Sequence, residues 1–352
     1  MREAVLYDKL PDSRVKCCTC QWRCRINPGK YGACGMYQNN DGALFNLNSA
    51  RVSSAAADPI EKKPLFHFYP STLCFSLGTL GCNFQCKHCQ NWEISTADSA
   101  SLLSACREIP PEAAIKLAKQ SHCQGIAWTY NEPAIWFEYT LDSAKLAKQN
   151  NLYTVYVTNG FATPEALDTI GPYLDAWRVD IKGFSDDFYR ELAGVPHWRE
   201  ILDVTKRAKD KWRMHVEVVT NIVPTMNDDD EQLAGLAKWI HDELGELTPW
   251  HVTRFYPHHR LTHLPPTPLE TIERAYEIGK KAGLKFVYAG NVPGHESEST
   301  RCYSCGKTVV RRVGYETEVT GLADSKCLYC GAELNFMVAR KGSTDARPKG
   351  LP

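Results

Sequence analysis

From about Leu73 onward, short apolar runs with strand character alternate with amphipathic stretches of helical period. The strand-like runs are LCFSLGT, GIAWTY, LYTVYVT, AWRVDI, MHVEVVTNIV, WHVTRFY and LKFVYAG. Between them lie helix candidates with recognisable ends. Pro111 to His122 opens with Pro in its first turn, and Thr163-Pro164 reads as an N-cap followed by Pro at the first helical position. Glu231 to Leu244 sets Leu233, Leu236, Ala237, Ile240 and Leu244 on one face. Leu269 to Gly283 places Ile272, Ala275, Tyr276 and Gly279 together and stops at a glycine. Repeated βα units predict a parallel sheet with right-handed crossovers. Six or seven units are too few for a closed eight-fold barrel and fit a partial (β/α)6 barrel. Its ligands belong at the C-terminal ends of the strands.

Unusual polar residues cluster at those ends. GIAWTY runs into Asn131-Glu132-Pro133, LYTVYVT into Asn159-Gly160-Phe161, and HVEVVT into Asn221. AWRVDI carries Asp180 and Lys182. WHVTRFYP holds His251 and Arg254, with His258 and His259 just beyond. Singly, each could be a helix cap. Together they line one barrel mouth.

The flanking segments differ in pattern. DGALFNLNSARVSS, Asp41 to Ser54, reads as short strands. DPIEKKPLFHFYP, Asp58 to Pro70, is too charged for a core strand and too aromatic for a free linker, so it reads as an ordered lead-in. Its Glu61, Lys62, Lys63 and His67 are expected to be structural. VVRRVGYETEV alternates like a hairpin, and RKGSTDARPKGLP after Ala339 reads as a disordered tail. The expected organisation is 1–57, a four-cysteine module with short strands; 58–291, the barrel; 292–338, a small metal-binding module; and 339–352, the tail.

Charge adds little pull toward any polyanion. Lys+Arg and Asp+Glu both number 41, so the net charge is zero, which argues against nucleic acid and anionic lipid as partners. The basic run Lys206 to Arg213 sits at a helix end, where cations suit the dipole. The opening MREAVLYDKLPDS lacks the apolar core of a signal peptide, and no apolar run approaches ~18 residues, the length of a membrane span. A cytoplasmic location is expected.

The cysteines carry the chemistry. There are 15, and without a signal peptide they point to reduced thiols and metals, not disulfides. Cys82, Cys86 and Cys89 form C-x3-C-x2-C in GTLGCNFQCKHCQNW. Four thiolates would close an electron-transfer 4Fe–4S cluster; three leave one iron open for chemistry. Gly81 is expected to let the backbone pass close to that cluster. Cys17, Cys20, Cys24 and Cys34 form C-x2-C-x3-C-x9-C, and suit either tetrahedral zinc or a second iron–sulfur cluster, with zinc preferred. Cys18 could stand in for Cys17. Cys302, Cys305, Cys327 and Cys330 make two C-x2-C-G knuckles, the pattern of a zinc ribbon. Cys18, Cys74, Cys106 and Cys123 are left over as inert or buried thiols.

C-x3-C-x2-C after a first strand resembles the motif of the radical S-adenosylmethionine (SAM) superfamily. The resemblance implies a 4Fe–4S cluster whose open iron is chelated by the amino and carboxylate groups of SAM. Reductive cleavage then gives methionine and a 5′-deoxyadenosyl radical, which abstracts hydrogen from a substrate. It also implies a reductant such as ferredoxin or flavodoxin. The residue before the third cysteine, usually aromatic and lying against adenine, is here His88. Glu132 in TYNEP takes the place of the motif that holds the SAM amino group, without its glycines. Asn159 is a candidate for the ribose. Asp180 and Lys182 match the Asp-x-Lys that lies near the methionyl end of SAM in activating enzymes of glycyl-radical proteins.

Across most of the chain, NPGKYGACG, DPIEKKPLFHFYP, CQNW, TYNEP, VTNGF, DIKGF, IVPTMND, RFYPHH and YAGNVPGH resemble one branch, the radical SAM member of the AmmeMemoRadiSam system, which is related to pyruvate formate-lyase activating enzymes. That branch implies AMMECR1-like and Memo-like companion proteins and leaves the substrate, and any catalytic residue, unnamed. Three readings follow. The first is a radical SAM enzyme acting on a small or companion-delivered substrate. The second is an activase placing a glycyl radical on a partner protein. The third is a non-catalytic metal- or nucleic-acid-binding protein, which the balanced charge and the triad disfavour.

Overall fold

The computed structural model describes residues 1–96 and 102–338. The tail expected to be disordered, 339–352, lies outside the described residues. At the centre is an eight-stranded sheet of β1 (Ser54–Pro59), β2 (Leu73–Gly78), β3 (Gly125–Trp128), β4 (Tyr153–Thr158), β5 (Ala176–Asp180), β6 (His215–Ile222), β7 (Trp250–Arg254) and β8 (Val287–Gly290). The strands neighbour one another in sequence order; β2 to β8 are parallel, and β1 runs antiparallel to β2 at one edge. The first and last strands do not pair, so the barrel is partial and open on one side.

All seven predicted strands are present. The helices that cross between them are α1 (Pro111–Gln120), α2 (Phe137–Gln149), α3 (Pro164–Ile170), α4 (Arg199–Asp210), α5 (Asp230–Trp239) and α6 (Leu269–Lys281). The Thr163 side chain accepts from the Ala166 N–H and caps α3 as its sequence predicts. The basic run at the end of α4 is paired, Arg207 and Lys211 with Asp168 and Lys206 with Glu243.

Alternation along the strands sends residues to two different cores. Trp128, Tyr156, Trp177, Val218 and Trp250 face the helices in one large cluster. Ala127, Tyr153, Val155, Val157 and Ala176 face the lumen. The lumen is not filled by strand side chains alone. The lead-in segment enters it, adding Ile60, Leu65 and Phe68 to the inner cluster. Its Phe66 and His67 main-chain N–H groups donate to Glu217 of β6 at 3.0 and 2.8 Å. Glu217 also takes His215 and His251, at 2.9 and 2.7 Å, so a buried carboxylate is fully partnered. His251 is therefore a lumen residue and not part of the mouth, contrary to its sequence expectation; strand alternation points it inward, directly beside its register partner Tyr288. Arg254, its side chain bonded to the Thr267 carbonyl, also turns away from the mouth. The strand β1 runs across the 57/58 boundary expected from sequence.

The two cysteine-rich ends pack on this scaffold. At the N-terminus, two small antiparallel sheets share a core of Val15, Cys17, Ile26, Tyr37 and Leu44. At the C-terminus a hairpin, Thr308–Val313 with Glu316–Val319, packs Val309 and Val310, together with Leu334 and Phe336 beyond it, against Tyr288 of β8 and the preceding Phe286. Arg312 donates to the Phe66 carbonyl at 2.6 Å and lies over the Phe66 ring, and Phe68 pairs with Met337 as a parallel bridge. The ribbon thus lies against the lead-in segment on the open side of the barrel.

Candidate active site

β2 ends at Gly78, where any side chain would meet Tyr130 and the Thr129 carbonyl at about 3 Å. The loop that follows carries the triad. Cys82, Cys86 and Cys89 all open on one cavity of about 430 Å³ at the C-terminal ends of the strands, and His88, Glu132, Asn159, Asp180 and Lys182 line the same cavity. Every residue expected from sequence to contact cluster or SAM is therefore brought to one place, as barrel topology requires of strand ends. Asn221 and Thr253 join them; His258 and His259 do not, and His259 instead stacks on Trp92.

The geometry refines what each residue does. Glu132 is buried and braces two strand ends: it accepts from Ala134 N–H at 3.0 Å, Thr158 hydroxyl at 2.8 Å and Asn159 N–H at 2.7 Å. Burial outweighs these donors and lifts its pKa to about 7. Asn159 donates to Asn83 and accepts from Phe161 N–H, so it holds the triad loop as well as lining the cavity. Asp180 is flanked by Arg178 at 2.6 Å and Lys182 at 3.4 Å. Burial works against its charge, but the two cations outweigh it and keep the carboxylate below its ordinary range. Lys182 is held charged against burial by Asp180. A fixed cation thus faces the thiols.

The thiols themselves are unlike free cysteines. Burial pushes Cys86 up to about 11 and raises Cys82 as well. Without a metal these two stay protonated, so a metal that binds here must displace their protons. Two buried polar atoms beside them lack a protein partner, His88 Nδ1 and Asn83 Nδ2. Burial, followed by the Lys182 charge, lowers the His88 pKa to about 3, so its ring is neutral. Three convergent thiols, a neutral flat ring, orphaned polar atoms and an Asp–Lys pair form a donor set that fits a cluster together with a zwitterionic ligand.

Gly81 has a left-handed φ of 86°, but it does not serve a cluster as expected. A Cβ there would lie 2.8 Å from Met36 and 3.0 Å from the Cys34 carbonyl. The glycine lets the N-terminal module approach. Sequence reasoning also missed Tyr130, whose hydroxyl donates to Asp58 at 2.8 Å, and Lys62, Lys63 and Pro64, which form one wall of the cavity. Tyr315, at the tip of the ribbon hairpin, lines the cavity as well. The remoteness of these residues in sequence hid them; only the paired charges of DPIEKKP hinted at a buried ionic cluster, which Asp58 forms with Lys62 and Lys63 at 2.8 and 2.7 Å.

At the far end, the sulfurs of Cys302, Cys305, Cys327 and Cys330 all lie within 4.8 Å of one another, close enough to share one metal ion. The Ala332 N–H holds the Cys330 thiol down to about 7.

The family model described as the radical SAM superfamily matches residues 77–239. An uncharacterized protein of Methanocaldococcus jannaschii is 40% identical over 340 residues, covering 96% of this chain and 100% of that one. The pyruvate formate-lyase-activating enzyme of Clostridium pasteurianum is 26% identical over 179 residues, covering 49% of this chain and 72% of its own. Among solved structures, a radical SAM methyltransferase from Sphaerobacter thermophilus aligns with TM-score 0.47 and 15% identity over 68% of this chain and 71% of that one. No described helix is long and apolar enough to cross a membrane. The chain belongs to the radical SAM superfamily, and is an enzyme of that class, for which a 4Fe–4S cluster and SAM are implied.

Proposed function

We propose that Cys82, Cys86 and Cys89 ligate the 4Fe–4S cluster and that the cavity they open on receives SAM, for hydrogen abstraction from a small substrate or one presented by a companion protein. The observation that carries this is the shared cavity: the three thiols, His88, Glu132, Asn159, Asp180 and Lys182 line it together. When bound, the cluster supplies one electron for reductive cleavage of SAM, with formation of the 5′-deoxyadenosyl radical. The chain's own residues supply the rest. Lys182 places a permanent cation beside Cys86, which offsets part of the burial that opposes the Cys86 thiolate. Asp180 and Lys182 offer opposite charges to the ammonium and carboxylate of a methionyl group. His88 offers its neutral ring to a base, and Asn159 keeps one amide hydrogen for a sugar hydroxyl. Glu132 fixes the two strand ends and retains lone pairs toward the cavity.

A small or companion-delivered substrate is favoured by what borders the mouth. Tyr315 of the ribbon lies on one side, and Trp22 and Met36 of the N-terminal module pack on the triad loop. A large loop of a folded partner has less room there. Substrate is the point on which the activase reading differs, and the resemblance to the Clostridium pasteurianum enzyme favours that reading. The test is electron paramagnetic resonance of reduced enzyme with SAM and glycyl-radical partners: no glycyl doublet is expected, and a stable doublet would establish the activase. The non-catalytic reading falls with membership of the superfamily.

The C-terminal quartet, with Cys302 and Cys330 sulfurs 3.6 Å apart and Cys305 and Cys327 3.7 Å apart, suits a structural zinc. Reduced thiols on this scale suit the cytoplasm. A ferredoxin or flavodoxin is the fitting reductant, and AMMECR1-like and Memo-like proteins are the companions that the branch resemblance suggests.

A further inference from the structure

We infer that Cys17, Cys20, Cys24 and Cys34 hold a second iron–sulfur cluster, and not the zinc preferred from their spacing. The four line one cavity, closed by Trp22, Ala33 and Ile135. Cys18 is not among them; its sulfur turns toward Asp8 instead.

The size of that cavity decides the metal. A tetrahedral zinc with Zn–S of about 2.3 Å draws its four sulfurs to about 3.8 Å from one another. The ribbon shows this contraction, at 3.6 and 3.7 Å across its two close pairs. No water-sized sphere fits between sulfurs so close. The N-terminal thiols, in contrast, enclose a cavity of about 10 Å³, room for one such sphere. Among the described residues, the ribbon quartet is the group whose sulfurs gather within 4.8 Å; the N-terminal quartet does not, and neither does the radical SAM triad. The chain therefore holds thiols in two arrangements, a contracted one that fits an ion and an open one that fits a cluster. The N-terminal four adopt the open one. Apart from its thiols the cavity wall is largely apolar, which suits a sulfide-rich body better than hydrated metal.

Its position gives it a use. The Trp22 indole, part of the cavity wall, donates to the Asn83 carbonyl at 2.7 Å, and Asn83 adjoins Cys82. Met36 and the Cys34 carbonyl press on Gly81. From Cys20 to Cys82 the route is thus two residues of chain, one hydrogen bond and one residue of chain. Cys24 and Cys34 are part-exposed on the outer side. The centre is placed to pass single electrons from an iron–sulfur or flavin protein donor to the triad cluster. That use, unlike the cluster itself, rests on the radical SAM reading.

The test is metal analysis of the full chain after anaerobic reconstitution with iron and sulfide. The Cys82→Ala, Cys86→Ala, Cys89→Ala variant is expected to retain two to four irons per chain with matching sulfide, as a four-cysteine cluster requires. Further replacement of Cys24 by Ser, at a part-exposed position, is expected to remove or halve that iron while far-UV circular dichroism is unchanged. A triad variant that carries two zincs per chain and no sulfide would overturn the inference. Failure of the triad reading looks different: wild type and triad variant would then hold equal iron, all of it lost with Cys24.

Discussion

The side-chain amide of Asn159 donates to the side-chain oxygen of Asn83 across 2.7 Å, joining the end of β4 to the loop that carries Cys82. Both residues are buried. One bond therefore couples a strand end of the barrel to the position of the cysteine triad.

Replacing Asn159 by Ala strips that bond and also leaves the Phe161 N–H without its 3.0 Å acceptor. A buried group left unsatisfied costs about 1–3 kcal/mol. Anaerobic urea unfolding should show a loss of that size, with slower reconstitution of iron into the triad. Unchanged stability and loading would contradict the coupling.

Glu132 makes stability depend on pH. Its folded pKa lies near 7, above the ordinary 4.5 of a free glutamate. Between those values the folded state binds more protons than the unfolded one, so stability falls as pH rises through this window. At ~1.4 kcal/mol per unit the loss reaches up to about 3 kcal/mol. Other carboxylates titrate too, so the measurement is the difference between wild type and Glu132→Gln. The wild-type profile should decline more steeply from pH 4.5 to 7; parallel profiles would reject the assignment.

Lys182 is expected to bind the carboxylate of SAM. Lys182→Met keeps the length of the side chain and removes its charge. Loss of a charge-assisted bond of about 1.5–3 kcal/mol corresponds to roughly 10–100-fold weaker binding. Equilibrium dialysis of SAM with oxidised, reconstituted enzyme measures this without turnover. Equal affinity in the variant would place Lys182 outside the pocket's function.

Sequence reached the barrel and the set of cavity residues because both rest on local signals. The helix caps at Thr163 and the period of Leu233, Leu236 and Ile240 are local, and strand ends converge by topology once the βα order is known. What it missed depends on contacts between distant segments. His251 reads as a rim residue until Glu217, 34 positions earlier, is seen to claim its imidazole. Gly81 reads as a cluster glycine until Met36 is found against it. The filling of the lumen by Leu65, Phe66 and Phe68 had no local signature at all, since an aromatic run predicts burial but not where.

The ribbon packs on the barrel and its lead-in, and those contacts decide what metal removal should do. Arg312 bonds the Phe66 carbonyl, and the His67 ring stacks on Phe336 and meets the Leu334 carbonyl at 2.9 Å. Structural zinc in such modules contributes apparent binding free energies of about 10–16 kcal/mol. Replacing Cys305 and Cys330 by Ser should therefore abolish metal binding at this site and lower the thermal stability of the barrel. Near-UV and far-UV circular dichroism should report one coincident transition. An unshifted barrel transition with a separately melting tail would show that the packing across Phe66 carries no energy.

The most direct measurement of the central claim is reductive SAM cleavage by the reconstituted chain, followed as 5′-deoxyadenosine by mass spectrometry. Wild type should form it with dithionite or a reduced flavodoxin, and the Cys82→Ala, Cys86→Ala, Cys89→Ala variant should form none. Cleavage that persists in that variant would contradict the account.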